Sequence, residues 1–352
     1  MTGREKLFLL GTAAITAIAG VFRYADVTAV AAFAAATFAL AGLAWVVALA
    51  TDQVGVRFGP AVTGFMQSTL GNLPEFFIVI FALSAGEITV AQTSLIGSIF
   101  ANALLVLGLV IVAGSTVSSD GCMRFSKRLP QDTATLLLVS LFVIVVVGLS
   151  IASSDKASHH IKGISTVGAI CLLVVYATWA WGYLRSETSV TESGAREQTA
   201  RISFPAALVL LAVAGTGAAF VSDWFVHALD PAVESLGISK AFAGLVIVAI
   251  AGNAVENFAG ILFASRGQSD LSISIVKNSV AQIAAFLYPA LVLVSLFFTT
   301  TLTFDLAPVY IGALFLTAIA VWQVTGDGEA QMFEGVSLIA IYVVLAAFTL
   351  YD

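Results

Sequence analysis

Charge is what this 352-residue chain has least of: Asp, Glu, Lys and Arg make up 10% of it, against 59% hydrophobic residues. Soluble domains carry about 25% charged residues, so a soluble globular fold is excluded and an integral membrane protein with many spans is expected. Cysteine is nearly absent. Cys122 lies in a polar stretch and Cys171 in an apolar run, with no metal–thiolate spacing and no disulfide framework. No basic patch with interleaved aromatics exists, so no nucleic-acid partner is expected. The net charge of −6 says little, because most of the surface faces lipid. No cofactor is expected.

Long apolar runs take the place of the missing charge. A span needs about 20 apolar residues. Segments of that kind fall near 7–22, 28–50, 60–84, 88–113, 134–152, 162–184, 204–227, 238–264, 270–298, 306–324 and 332–350. The expected fold is all-α: a polytopic membrane protein of about 11 transmembrane helices. Arg4 and Lys6 before an apolar run, with Ala17-Ile18-Ala19 beyond, resemble a signal peptide. The apolar run continues to Val21 and Phe22, which favours an uncleaved first span.

Two intramembrane copies of one pattern organise the rest. Gly71-Asn72-Leu73-Pro74-Glu75 matches Gly252-Asn253-Ala254-Val255-Glu256 at an offset of 181, and the match runs without a gap from residue 71 to 98. Phe77, Ile80, Ser84, Gly86 and Ser98 fall on Phe258, Ile261, Ser265, Gly267 and Ser279. With the first span set aside, each pattern lies in the second of five spans. An odd number of spans per repeat forces opposite orientations, an inverted repeat common among secondary transporters. The expected division is a first helix over 1–26, a five-helix repeat over 27–185, a cytoplasmic polar loop over 186–202 and a second five-helix repeat over 203–352.

Basic residues orient the chain. With the N-terminus cytoplasmic, Arg4, Lys6, Arg57, Arg124, Lys127, Arg128, Arg185, Arg196, Arg201 and Arg266 lie inside. Arg23, Lys156, Lys162 and Lys240 lie outside. The inside excess places the N-terminus in the cytoplasm, and the cell membrane is the expected location. Glu187, Glu192 and Glu197 then read as a solvated linker.

Intramembrane ionisable groups mark ion pathways. In Gly-Asn-x-x-Glu the amide and carboxylate are three apart and share a helix face. The glycine permits unwinding, and carbonyls freed at such a break become oxygen ligands. Two carboxylates, two amides and carbonyls form a hard-oxygen set that suits Ca²⁺ and disfavours Zn²⁺ or Cu⁺. Two close carboxylates in low dielectric cannot both ionise without a cation. The candidate cation- and proton-binding residues are therefore Glu75 and Glu256, which would hold the metal. Asn72, Asn253, Ser98, Ser279, Asn102 and Gln282 are the supporting oxygen donors, and Asn278 adds a further amide.

At these residues the chain resembles the cation/proton exchanger branch of the calcium/cation antiporter superfamily. The resemblance is carried by Gly71–Glu75 through Gly97-Ser98-Ile99-Phe100-Ala101-Asn102-Ala103-Leu104-Leu105-Val106-Leu107-Gly108, and by Gly252–Glu256 through Gln282-Ile283-Ala284. It implies an eleven-helix antiporter that exports Ca²⁺ from the cytoplasm against H⁺ by alternating access. Glu75 and Glu256 would bind and release Ca²⁺ or H⁺ in turn.

Three positions depart from that family. Asn257 stands where relatives carry His. Pro74 resembles the sodium/calcium branch. Lys277-Asn278-Ser279 replaces an apolar residue, Gly and Ser. Lys277 lies about 9 Å into its span at 1.5 Å per residue. Two readings of it stand: its stem snorkels to the interface, or its ammonium reaches Glu256. Lys277 and Asn257 are therefore possible modulators. Lys277 and Asn257 also motivate a cation-binding membrane protein without flux, Lys277 a monovalent cation exchanger, and Pro74 a sodium/calcium-type exchanger. An intramembrane hydrolase using two acids would need a substrate cleft that the sequence does not indicate, so no enzyme is expected. Asp223 and His227 read as a capping or interfacial pair.

Overall fold

The computed structural model describes residues 3–55, 70–126, 128–190 and 202–351, with the backbone alone for residues 55, 128–130, 183–190, 255 and 256. The protein is mostly helical. Its helices are α1 (Gly3–Tyr24), α2 (Ala29–Gly55), α3 (Leu73–Ser84), α4 (Ile88–Val117), α5 (Arg128–Ala152), α6 (Ile161–Val190), α7 (Phe204–Leu236), α8 (Lys240–Gly252), α9 (Ala254–Ala264), α10 (Ser269–Ser295), α11 (Pro308–Thr325) and α12 (Met332–Leu350). Among the described residues nine helices are long and apolar enough to cross a bilayer, and the bent pair of α8 and α9 makes a tenth. The expected span over 60–84 is described only from residue 70 onward, where α3 occupies its second half.

Local sequence sets several boundaries. α7 opens with Pro205 in its first turn, where the missing N–H costs nothing. It ends at Gly237, whose φ of 64° is left-handed and easy for glycine. The helix therefore runs past Asp223 and His227, which are both exposed and cap nothing. α12 opens on a capping box between Gln331 and Glu334. Gly86 and Gly267, which coincide at the 181 offset, both have positive φ (82° and 73°) in the turns that open α4 and α10.

The chain forms two compact units, and neither is one half of the sequence. The first comprises residues 1–81, 177–238 and 251–255. In it α2 packs along α7, with the Phe33 and Phe225 rings 4.8 Å apart, and α1 packs on α2, with Phe8 5.2 Å from Trp45. The second comprises residues 82–176, 239–250 and 256–352. Helix association in lipid rests on close packing of small residues rather than on the hydrophobic effect. The crossing of α4 and α8 follows that rule. A Cβ on Gly97 would stand 2.5 Å from Leu245 Cα, and one on Gly244 would stand 2.1 Å from Thr93 Oγ1. Apolar side chains such as Phe142, Leu149 and Val344 stay exposed on the outside, as a lipid-facing surface requires.

Two short strands, which the apolar pattern does not announce, join in the second unit. β1 (Cys122–Arg124) pairs antiparallel with β2 (Glu329–Gln331) and clips the α4–α5 connection to the α11–α12 connection. Asp120 receives Arg124 at 2.7 Å. That guanidinium, with the Ser118 hydroxyl and the Cys122 N–H, holds the Asp120 carboxyl well below its usual range.

Candidate functional site

Both Gly-Asn-x-x-Glu patterns fall on helix breaks. Asn72 is a single turn residue between Gly71 and α3, and Asn253 a single turn residue between α8 and α9. At the second break the chain bends by 59°. In the first unit the break buries its polar groups almost completely: Asn72 is 4% exposed, Glu75 1% and Asn253 0%. Gly252 lies against Glu75, since a Cβ at Gly252 would be 3.9 Å from Glu75 Cβ. Glu75 of one pattern and the Gly252-Asn253 turn of the other thus meet within this unit. Burial of a carboxylate in a membrane protein is costly unless a proton or a cation neutralises it. Glu256 lies in the first turn of α9, and its side chain is outside the described residues.

The second unit gathers four of the expected supporting donors. Ser98, Asn102, Ser279 and Gln282 are each at most 2% exposed. Asn102 Nδ2 donates to Ser279 Oγ at 2.9 Å, so the polar turn after the first pattern meets the one after the second. Among the described residues no three His, Cys, Asp or Glu side chains gather.

The three departures are also resolved in part. Lys277 is 1% exposed, so it does not snorkel. Its Nζ donates to Thr325 Oγ1 at 3.1 Å, while Thr325 donates to the Val321 carbonyl. An ammonium has three donors, and Thr325 is the one side-chain partner of Lys277 among the described residues. No spacing rule links 277 to 325, so this pair was invisible in the sequence. The Asn257 and Asn278 side-chain oxygens are both buried without a hydrogen-bond partner among the described residues.

Sequence reading missed the π turns. They occur at Ala101–Val106 in α4, Ala243–Val248 in α8 and Ile283–Leu287 in α10. The first begins at the residue before Asn102 and the last directly after Gln282. Single π turns inside α-helices often mark functional sites. The offset of 181 lays the first and last of these turns on one another, although the sequence match ends before them at residue 98.

A helical polytopic membrane protein with buried carboxylate and amide groups at paired helix breaks is a membrane transporter by architecture. The sodium/calcium exchanger protein family matches residues 28–184 and 206–351, and this chain belongs to that family. It is similar to the vacuolar calcium ion transporter of Schizosaccharomyces pombe, 30% identical over 324 residues that cover 89% of this chain and 77% of that protein. It is also similar to the Ca²⁺/H⁺ antiporter ChaA of Bacillus subtilis, 29% identical over 323 residues covering 89% and 90% of the two chains. Among solved structures, native YfkE superposes with a TM-score of 0.82 at 25% identity, covering 98% of this chain and 99% of that one.

Proposed function

We propose that this chain is a calcium (cation)/proton antiporter that exports Ca²⁺ from the cytoplasm in exchange for H⁺ by alternating access. The observation that carries the reading is Glu75, 1% exposed at a helix break beside the Gly252-Asn253 turn. A carboxylate so placed holds either a proton or a cation, because its bare charge is too costly there. Glu256 is its partner in the second pattern. Asn72, Asn253, Ser98, Ser279, Asn102 and Gln282 supply neutral oxygens that take over part of the hydration shell of Ca²⁺. Ca²⁺ entry expels protons from the two carboxylates and protonation expels Ca²⁺, so the pair titrates as a unit. The antiport named for the Bacillus subtilis relative agrees with this chemistry.

The same reading divides the chain into a first helix over 1–26, five-helix inverted repeats over 27–185 and 203–352, and a cytoplasmic loop over 186–202. The matched glycine turns at 86 and 267 and the matched π turns support it. The bias of basic residues supports a cytoplasmic N-terminus in the cell membrane. Lys277 and Asn257 would modulate the site. Pro74 favours a second reading, Na⁺-coupled exchange.

The test is ion flux in proteoliposomes. Glu75→Gln and Glu256→Gln should each abolish Ca²⁺/H⁺ exchange while the protein stays folded. Uptake driven by a Na⁺ gradient, and not by a pH gradient, would move the assignment to the second reading.

A further inference from the structure

A recess in the first unit, away from both Gly-Asn-x-x-Glu patterns, has the makings of a ligand site. It opens between the end of α1 and the second half of α7 and has a cavity volume of about 200 Å³. Its geometry starts at Gly20. A Cβ there would stand 2.9 Å from the Trp224 ring, so the glycine lets the indole of α7 close on α1. One turn beyond that contact the two helices part, and Phe22, Arg23, Trp224, His227 and Pro231 line the gap with the small residues of the α1–α2 turn.

Arg23 and His227 are the charged or titratable groups of that lining. Arg23 is partly buried, and its Nε is sealed from solvent with no hydrogen-bond partner among the described residues. Its guanidinium lies 5.3 Å from the centroid of the Tyr24 ring, and among the described residues it makes no ion pair. An arginine that merely snorkelled would present its whole guanidinium to water. Here the Nε of a planar donor group is sealed in the lining of a recess that also carries an imidazole and an indole from the opposite helix. A guanidinium fork matches phosphate oxygens, and Trp, Tyr and Arg together mark the headgroup level of a bilayer. Ala25, Val27, Ala29 and Ala32 give the recess an apolar side, suited to the glycerol and first methylenes of a lipid rather than to a hydrated ion.

We propose that this recess binds a phosphate group, carried by a phospholipid headgroup, with Arg23 as the principal phosphate ligand and His227 facing it from α7. The proposal is independent of what the protein transports.

The experiment uses the full chain in detergent, titrated with dioleoyl phosphatidylglycerol or with inorganic phosphate and read by native mass spectrometry. The wild type should retain a phosphatidylglycerol adduct, and Arg23→Gln should weaken it about tenfold, the loss expected for a charged hydrogen-bonding partner. Arg23→Lys should recover part of the affinity, and His227→Ala should weaken it less. Thermal melts confirm that each variant is folded, and the lysine variant carries the test if the glutamine variant is not. Inorganic phosphate that binds the wild type and displaces the lipid would overturn the lipid as source. Equal phosphatidylglycerol retention by the wild type, Arg23→Gln and His227→Ala would overturn the site.

Discussion

Replacing Gly97 with alanine puts the packing argument at risk most directly. Carbon contacts are comfortable near about 3.5 Å, whereas the new Cβ would lie 2.5 Å from Leu245 Cα and 2.6 Å from its carbonyl oxygen. Both atoms are backbone, so no side chain can turn aside and α4 and α8 must separate by about 1 Å. Overpacking of this kind costs about 1–3 kcal/mol, against a helix-propensity gain of up to about 1 kcal/mol for Gly→Ala. The net expectation is a loss of about 1–2 kcal/mol, seen as a drop of a few degrees in the melting temperature. Gly312→Ala is the control, since a Cβ there meets nothing within 4 Å. It should leave the melt unchanged or raise it slightly. Gly97 also adjoins Ser98, one of the proposed oxygen donors, and a misplacement of about 1 Å at a site can cost about a hundredfold in rate. Flux should therefore fall far more in Gly97→Ala than in Gly312→Ala. Equal melting temperatures and equal flux for the two variants would refute the reasoning.

Other predictions follow from single contacts. Thr325→Val strips the Lys277 ammonium of its hydroxyl partner and should destabilise the protein by about 1–3 kcal/mol, measured by thermal melt. Lys277→Met removes a buried amine with little change of volume and should raise the melting temperature in the same assay. Ser279→Ala removes the hydrogen bond from Asn102 and should weaken Ca²⁺ binding, read by calorimetry, with no loss of helix content by circular dichroism. The Asp120 carboxyl is held below its ordinary value of 3.8. Such a group contributes its stability above its unfolded pKa and loses it as pH falls through the lower folded value. Acidification below pH 3.8 should thus loosen the β1–β2 clip, seen as faster amide hydrogen exchange at residues 122–124, corrected for the intrinsic pH dependence.

Composition and periodicity made the membrane class and most helix positions legible, because apolar length is a direct physical demand of the bilayer. The Gly-Asn-x-x-Glu repeat located both helix breaks for a similar reason: glycine and a side-chain amide at one position of a span conflict with regular helix. Three features were not legible. α7 extends to Leu236, well beyond the expected end near 227, because Asp223, Asp230 and Glu234 lowered its hydropathy without interrupting the helix. The β1–β2 clip pairs segments some two hundred residues apart, and strands of three residues carry no periodicity. Lys277 carried two readings, and burial against Thr325 removed the snorkelling one. Its partner is fixed by how α10 and α11 pack, which no spacing along the chain encodes.

We propose that Glu75 and Glu256 exchange Ca²⁺ for protons. The measurement that tests it is ⁴⁵Ca²⁺ uptake into proteoliposomes with an acid interior, with and without a protonophore, for the wild type and for Glu75→Gln and Glu256→Gln. The account predicts uptake by the wild type that collapses when the pH gradient is dissipated, and none by either variant. Gradient-driven uptake that survives in either variant would contradict it.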